Sequence, residues 1–136
     1  MKNAFLGILV LALFGSCKKT IEKKQEAAVI EAITTGFWTV TKYNKGNTDL
    51  TTDFSTYKFQ FKENNTVDAY KNNNFDRSGS WQADVTSKTI QSNFTNATTP
   101  LSLLNGTWII TNSTWTSVEA YRTSNGETSL LSLNKQ

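Results

Sequence analysis

Residues 56–61 read TYKFQF, and this stretch limits the fold more than any other part of the chain. Tyr57, Phe59 and Phe61 stand on alternate positions with Lys58 and Gln60 between them, the two-residue period of a strand with one buried and one wetted face. After Gly36 no window sustains a helical period; Thr, Asn and Ser abound, and short alternating runs end on Asn, Gly and Asp turns. Eight strands are expected, at 37–43, 56–61, 66–71, 78–83, 88–94, 106–112, 115–121 and 128–134. KENN at 62–65, NNNFD at 72–76 and DVTS at 84–87 join neighbours as hairpins, while the longer link 95–105 carries the only proline, Pro100, which interrupts pairing. Consecutive hairpins without intervening helices favour a meander, and eight meandering strands close on themselves and lose both edges. The expected fold class is all-β: an eight-stranded antiparallel up-and-down barrel over residues 36–136, preceded by a short N-terminal helix.

The first 16 residues have a different grammar. Met1, Lys2 and Asn3 give a short positive start, and the apolar run Ala4 to Phe14 leads to the small residues Gly15 and Ser16, the layout of a secretory signal peptide. The run is too short for a bilayer-spanning helix, which needs about 20 apolar residues. Directly after the small residues stands Cys17, the single cysteine of the chain. This arrangement resembles the lipobox of bacterial lipoproteins, with Phe14 where leucine is usual, and the resemblance implies that Cys17 is acylated and becomes the lipid anchor. Residues 17–35 then read as anchor, tether and short helix, since KKTIEKKQEAAVIEAITT is rich in good helix formers with apolar residues at Ile21, Ala28, Ala32 and Ile33. Lys18, Lys19, Lys23 and Lys24 either favour an anionic lipid surface or serve as a solvated spacer. In the Bacteroidota lipoproteins that the segment resembles, acidic residues at these positions accompany export to the cell surface. Lysines there imply an outer-membrane protein facing the periplasm.

Three Gly-x-Trp triplets punctuate the barrel: GFW at 36–38, GSW at 79–81 and GTW at 106–108. Each is explained as a core tryptophan with a glycine at a tight entry or a close backbone approach, or as part of a ligand-lined interior. The first triplet resembles the Gly-x-Trp signature of lipocalins. The ordered set GFWTVTKYNKGNTDLTTDFSTYKFQF, TVDAY, GSW, LNGTW and SLLSLNK resembles the lipocalin-like (calycin) domains of small Bacteroidota lipoproteins, from Gly36 to the end of the chain. The loops are shorter than in a typical lipocalin, and no second signature around an arginine follows the last strands. The resemblance implies a barrel that holds a small apolar or amphipathic ligand, and Tyr57, Phe59, Phe61, Trp81 and Trp108 are the expected lining. An eight-stranded barrel is just wide enough to hold one small guest or to fill with its own side chains. The alternative expectation is therefore a packed barrel whose surface serves as a structural or protein-interaction module of the envelope.

Much common chemistry is missing. The chain has no histidine, and with Cys17 committed to the anchor no Ser-His or Cys-His pair and no usual zinc set is available. Phosphate-binding glycine loops are absent as well. The expectation is a non-enzyme without cofactor or resident metal. The oxygen-rich loop NKGNTDLTTD, with Asp49 and Asp53, is weighed as a calcium loop, but it lacks the acidic ladder and distal glutamate of a calcium hand, and turn capping explains it better. Asp68 and Glu119 lie within strands, where outward solvated carboxylates are expected. Nucleic acid is no expected partner: the net charge of +3 falls to +1 from Gly36 onward, where nine basic residues face eight acidic ones. The partners that remain are the membrane, reached through the N-terminal lipid, a small lipophilic ligand and an envelope protein.

Overall fold

The computed structural model describes residues 24–136; residues 1–23, with the signal-peptide and Cys17 expectations, lie outside the described residues. A helix runs through residues 24–34, followed by nine strands: β1 Trp38–Lys45, β2 Thr48–Asp49, β3 Tyr57–Phe61, β4 Thr66–Lys71, β5 Asn74–Asp84, β6 Thr89–Asn93, β7 Gly106–Ser113, β8 Ser117–Ser124 and β9 Glu127–Lys135. All neighbours pair antiparallel, and β1 closes the ring by pairing along its length with β9, from Trp38 opposite Lys135 to Lys45 opposite Ser129. The seam between β1 and β3 is short, a single pair of Trp38 with Phe59. Eight strands thus form a closed barrel, and β2 is an addition, a two-residue ladder folded back onto the end of β1.

All eight expected strands are present, with two shifts that have local causes. The stretch NNNFD is not a loose connection. Asn72 and Asn73 both take left-handed backbone angles, φ 51° and 64°, and make a two-residue turn, so β5 begins at Asn74. The turn at Asn125 and Gly126 is built the same way, with φ 52° and 78°, and it lets β8 run on to Ser124. In β1 the inward residues are Trp38, Val40 and Tyr43, because a bulge between Val40 and Lys42 inserts one extra residue and reverses the alternation.

Most apolar strand residues point inward and polar ones such as Thr39, Thr41 and Glu119 point outward, while the exposed Phe75, Ile109 and Leu130 do not make up the continuous lipid-facing band of a membrane-spanning barrel. The two barrel ends are finished differently. At one end Ile33 and Val29 of the helix pack on the core. At the other, Phe54 from the 46–56 connection and Leu101 and Leu104 from the 94–105 connection, both carrying a 3-10 turn, fold over the interior.

Candidate functional site

The Gly-x-Trp triplets share one device. Each indole is buried and donates its Nε1–H to a main-chain carbonyl of a segment outside its own strand: Trp38 to Ile33 at 2.9 Å, Trp81 to Lys62 at 2.9 Å and Trp108 to Leu104 at 3.0 Å. The tryptophans thus bolt the helix, the β3–β4 turn and the 94–105 connection to the barrel. A cation covers two of the rings, Lys135 Nζ at 5.2 Å from the Trp38 ring and the Arg122 guanidinium at 4.4 Å from Trp108.

Of the expected lining, Phe59, Phe61 and Trp108 border an internal cavity with Val67, Phe94, Leu104 and Leu131, while Tyr57 and Trp81 are buried beside it. The cavity measures about 40 Å³. That is room for a water or two, whereas small-molecule sites run to about 300–1,000 Å³. The side chains expected around a guest are themselves what occupies the space. Phe61 meets Trp81 edge-on at 5.6 Å, Tyr57 stacks with Phe59 at 6.2 Å, and Phe59 touches Phe94 at 6.2 Å. Residues from the connections complete the filling: the Phe54 ring lies 5.2 Å from Tyr43, which meets Trp108 edge-on at 5.9 Å and donates its hydroxyl to Leu103 O at 3.0 Å. Asn105 ties off the 94–105 connection at its base, its Oδ1 accepting from Phe94 N at 2.7 Å and its Nδ2 donating to Phe94 O at 3.2 Å.

Asp49, weighed as a calcium ligand, is engaged otherwise. Its Oδ1 accepts the Thr51 hydroxyl at 2.6 Å and the Thr51 N–H at 2.9 Å, starting the 3-10 turn that delivers Phe54. Among the described residues no three His, Cys, Asp or Glu side chains gather as a metal set. The Thr51 hydroxyl bond, followed by the Thr51 N–H, holds the Asp49 carboxyl below its usual value of 3.8. A lowered folded pKa stabilises above the unfolded value, and the contribution vanishes as pH falls through the folded one. Urea midpoints of wild type and Asp49→Asn are therefore expected to differ steadily from pH 7 down to about pH 4 and to converge only as the pH falls further, through the lowered carboxyl value; a difference that persists unchanged well below about pH 4 would contradict the assignment.

Asp68 is not the solvated carboxylate expected of it. It is 7% exposed, between the inward Val67 and Ala69, and its Oδ2 sits 2.6 Å from Lys62 Nζ. The lysine pKa is raised, first by the hydrogen bond to Asp68 and then by its charge. Glu119 is exposed on β8, which is not a neighbour of β4, so the two carboxylates do not share a cleft.

Sequence reasoning missed Arg122. It lies on β8, and its Nη2 donates to Leu103 O at 2.6 Å while Nη1 donates to Asn105 O. With Arg122 over Trp108, the start of β7 needs a glycine: a Cβ on Gly106, at φ +113°, would stand 2.9 Å from Arg122 Nη1. The signal was the alternation Val118, Ala120, Arg122, which puts the arginine on the barrel's inner face.

The geometry defines a closed, eight-stranded antiparallel barrel filled by its own side chains. One solved structure shares this fold: a DUF4847 family protein from Bacteroides vulgatus ATCC 8482, superposing with a TM-score of 0.55 at 18% identity over 79% of this chain and 99% of that one. No protein-family model matches the sequence, and no curated protein matches it either.

Proposed function

We propose that the chain is a non-enzymatic, lipid-anchored protein of a bacterial cell envelope, a packed barrel that acts as a structural or protein-interaction module. Cys17 carries the lipid, and the molecule faces the periplasm from the outer membrane. The observation that favours a packed module over a carrier of apolar guests is the interior cavity of about 40 Å³, bordered by Phe59, Phe61 and Trp108. The anchor is supported by the run Ala4 to Phe14, the small residues Gly15 and Ser16, and the position of Cys17. Such a barrel offers its partners an outer surface and loops rather than a lumen.

Two measurements on the full-length protein test this. Wild type is expected to fractionate with membranes and Cys17→Ala to be released; a Cys17→Ala protein that stays membrane-bound sinks the anchor. Titration with palmitate in a Trp115→Phe background, which removes the one exposed indole, is expected to leave the tryptophan emission unmoved, since Trp38, Trp81 and Trp108 are already buried. A saturable emission shift, abolished by Phe59→Trp, sinks the packed barrel and restores the carrier of apolar or amphipathic ligands.

A further inference from the structure

At the end of the barrel that carries the 94–105 connection, above Trp108, the wall opens into a cleft of about 640 Å³. Four of its residues continue the inner face just beyond the packed layer, where Lys45 follows Tyr43, Arg122 follows Ala120, and Glu127 and Ser129 precede Leu131, and Thr107 and Thr123 carry it over the rim. The apolar filling thus gives way to a polar mouth whose volume falls within the range of small-molecule sites.

Arg122 is the feature of this mouth that asks for a ligand. Its guanidinium is half-buried and fixed on three sides, by the Trp108 ring, Leu103 O and Asn105 O. Those carbonyls take two of its five N–H donors and bring no countercharge. The ion pair among the described residues is Lys62 with Asp68, so neither Arg122 nor Lys45 has a carboxylate within bonding distance there. Glu127 lines the same cleft, but its carboxylate lies beside Gly46, where a Cβ would be 3.1 Å from Oε2. A planar cation held in one orientation at the floor of a cleft is arranged for a carboxylate or phosphate group. Around it stand hydroxyls and an amide, those of Ser102, Ser124 and Asn125.

We infer that this mouth binds a small hydroxylated anion, its carboxylate or phosphate held by Arg122 and Lys45 and its hydroxyls by Ser102, Ser124 and Asn125. The site is separate from the apolar interior and does not depend on the lipid anchor. Glu127 opposes the anion and tunes its affinity downward.

The test follows the Arg122 Nε–Hε signal by NMR in the full-length protein as sodium glucuronate, glucose or inorganic phosphate is added. Glucuronate, phosphate or both are expected to move that signal saturably, and glucose to leave it in place; which anion binds more tightly tells carboxylate from phosphate. Because Lys45 and Glu127 are exposed, their variants keep the fold: Lys45→Ala is expected to weaken binding about three- to tenfold and Glu127→Gln to strengthen it by a similar factor, both effects shrinking with salt. An Arg122 signal that neither anion moves, a response to glucose equal to that of glucuronate, or affinities unchanged in both variants would overturn the site.

Discussion

Trp108→Ala is expected to lower the unfolding free energy by about 3–5 kcal/mol, the range for deleting a large buried aromatic. Urea unfolding reads it as a lower midpoint with an unchanged slope. The residue is 1% exposed, and its ring carries three neighbours: Tyr43 edge-on, Arg122 over its face, and the 94–105 connection through the bond to Leu104 O. Truncation opens a cavity in a wall of paired strands that cannot collapse to fill it, and it leaves the guanidinium without its ring. Leu104 O keeps an acceptor role because Ser92 Oγ also donates to it, at 2.6 Å, so the loss is mainly packing rather than an orphaned carbonyl. Trp108→Phe, which keeps much of the volume and forfeits the N–H, is accordingly expected to cost only about 1–2 kcal/mol. If the alanine variant lost no more than the phenylalanine one, the loop end would not rest on this side chain.

The residues that made the fold legible are those whose environment is set by their own strand. Tyr57, Phe59 and Phe61 alternate in sequence and are buried on alternate positions in β3. Strand 1 resists the same reading: in FWTVTKY, strict alternation puts Trp38 and Val40 on the face opposite Tyr43, and only the bulge brings all three inward. Whether the interior holds a guest was not legible at all. The answer depends on Phe54, Leu101 and Leu104, which reach the core from connections whose path no strand period describes. Arg122 stayed hidden for a related reason. The expected strand ended at 121, whereas the Asn125 and Gly126 turn carries the ladder three residues further and places Arg122 opposite Ser129. The tryptophans were visible as core candidates, but their N–H partners are main-chain carbonyls of the helix, the β3–β4 turn and the 94–105 connection, which no strand period points to.

The glycines of the triplets look alike in sequence and are required for different reasons, and among them Gly79 gives the largest expected effect. A Cβ there would stand 2.6 Å from Asn93 O and 2.8 and 3.1 Å from ring carbons of Phe94. Asn93 O belongs to the backbone of β6, paired to β5 through Ser80 opposite Asn93, so it cannot swing aside as a flexible side chain would. Phe94 is 1% exposed and packs on Phe59, so its ring has no free space to enter. Gly79→Ala therefore forces β5 and β6 apart or drives Phe94 into the filled interior, an overpacking expected to cost about 3 kcal/mol. Gly126 is the control: it sits at φ +78° with nothing within 4 Å of a Cβ, so Gly126→Ala bears only the left-handed backbone penalty, about 1 kcal/mol. Phe94→Leu removes the ring from the crowded spot but not the carbonyl, and in the Gly79→Ala background it is expected to recover part of the loss, making the double variant better than the sum of the two single ones. Strict additivity would mean that Phe94 already yields and that the carbonyl alone sets the cost. A Gly79→Ala protein no less stable than Gly126→Ala would mean that the two strands part there freely, contrary to the close packing of Asn93 and Phe94 against β5.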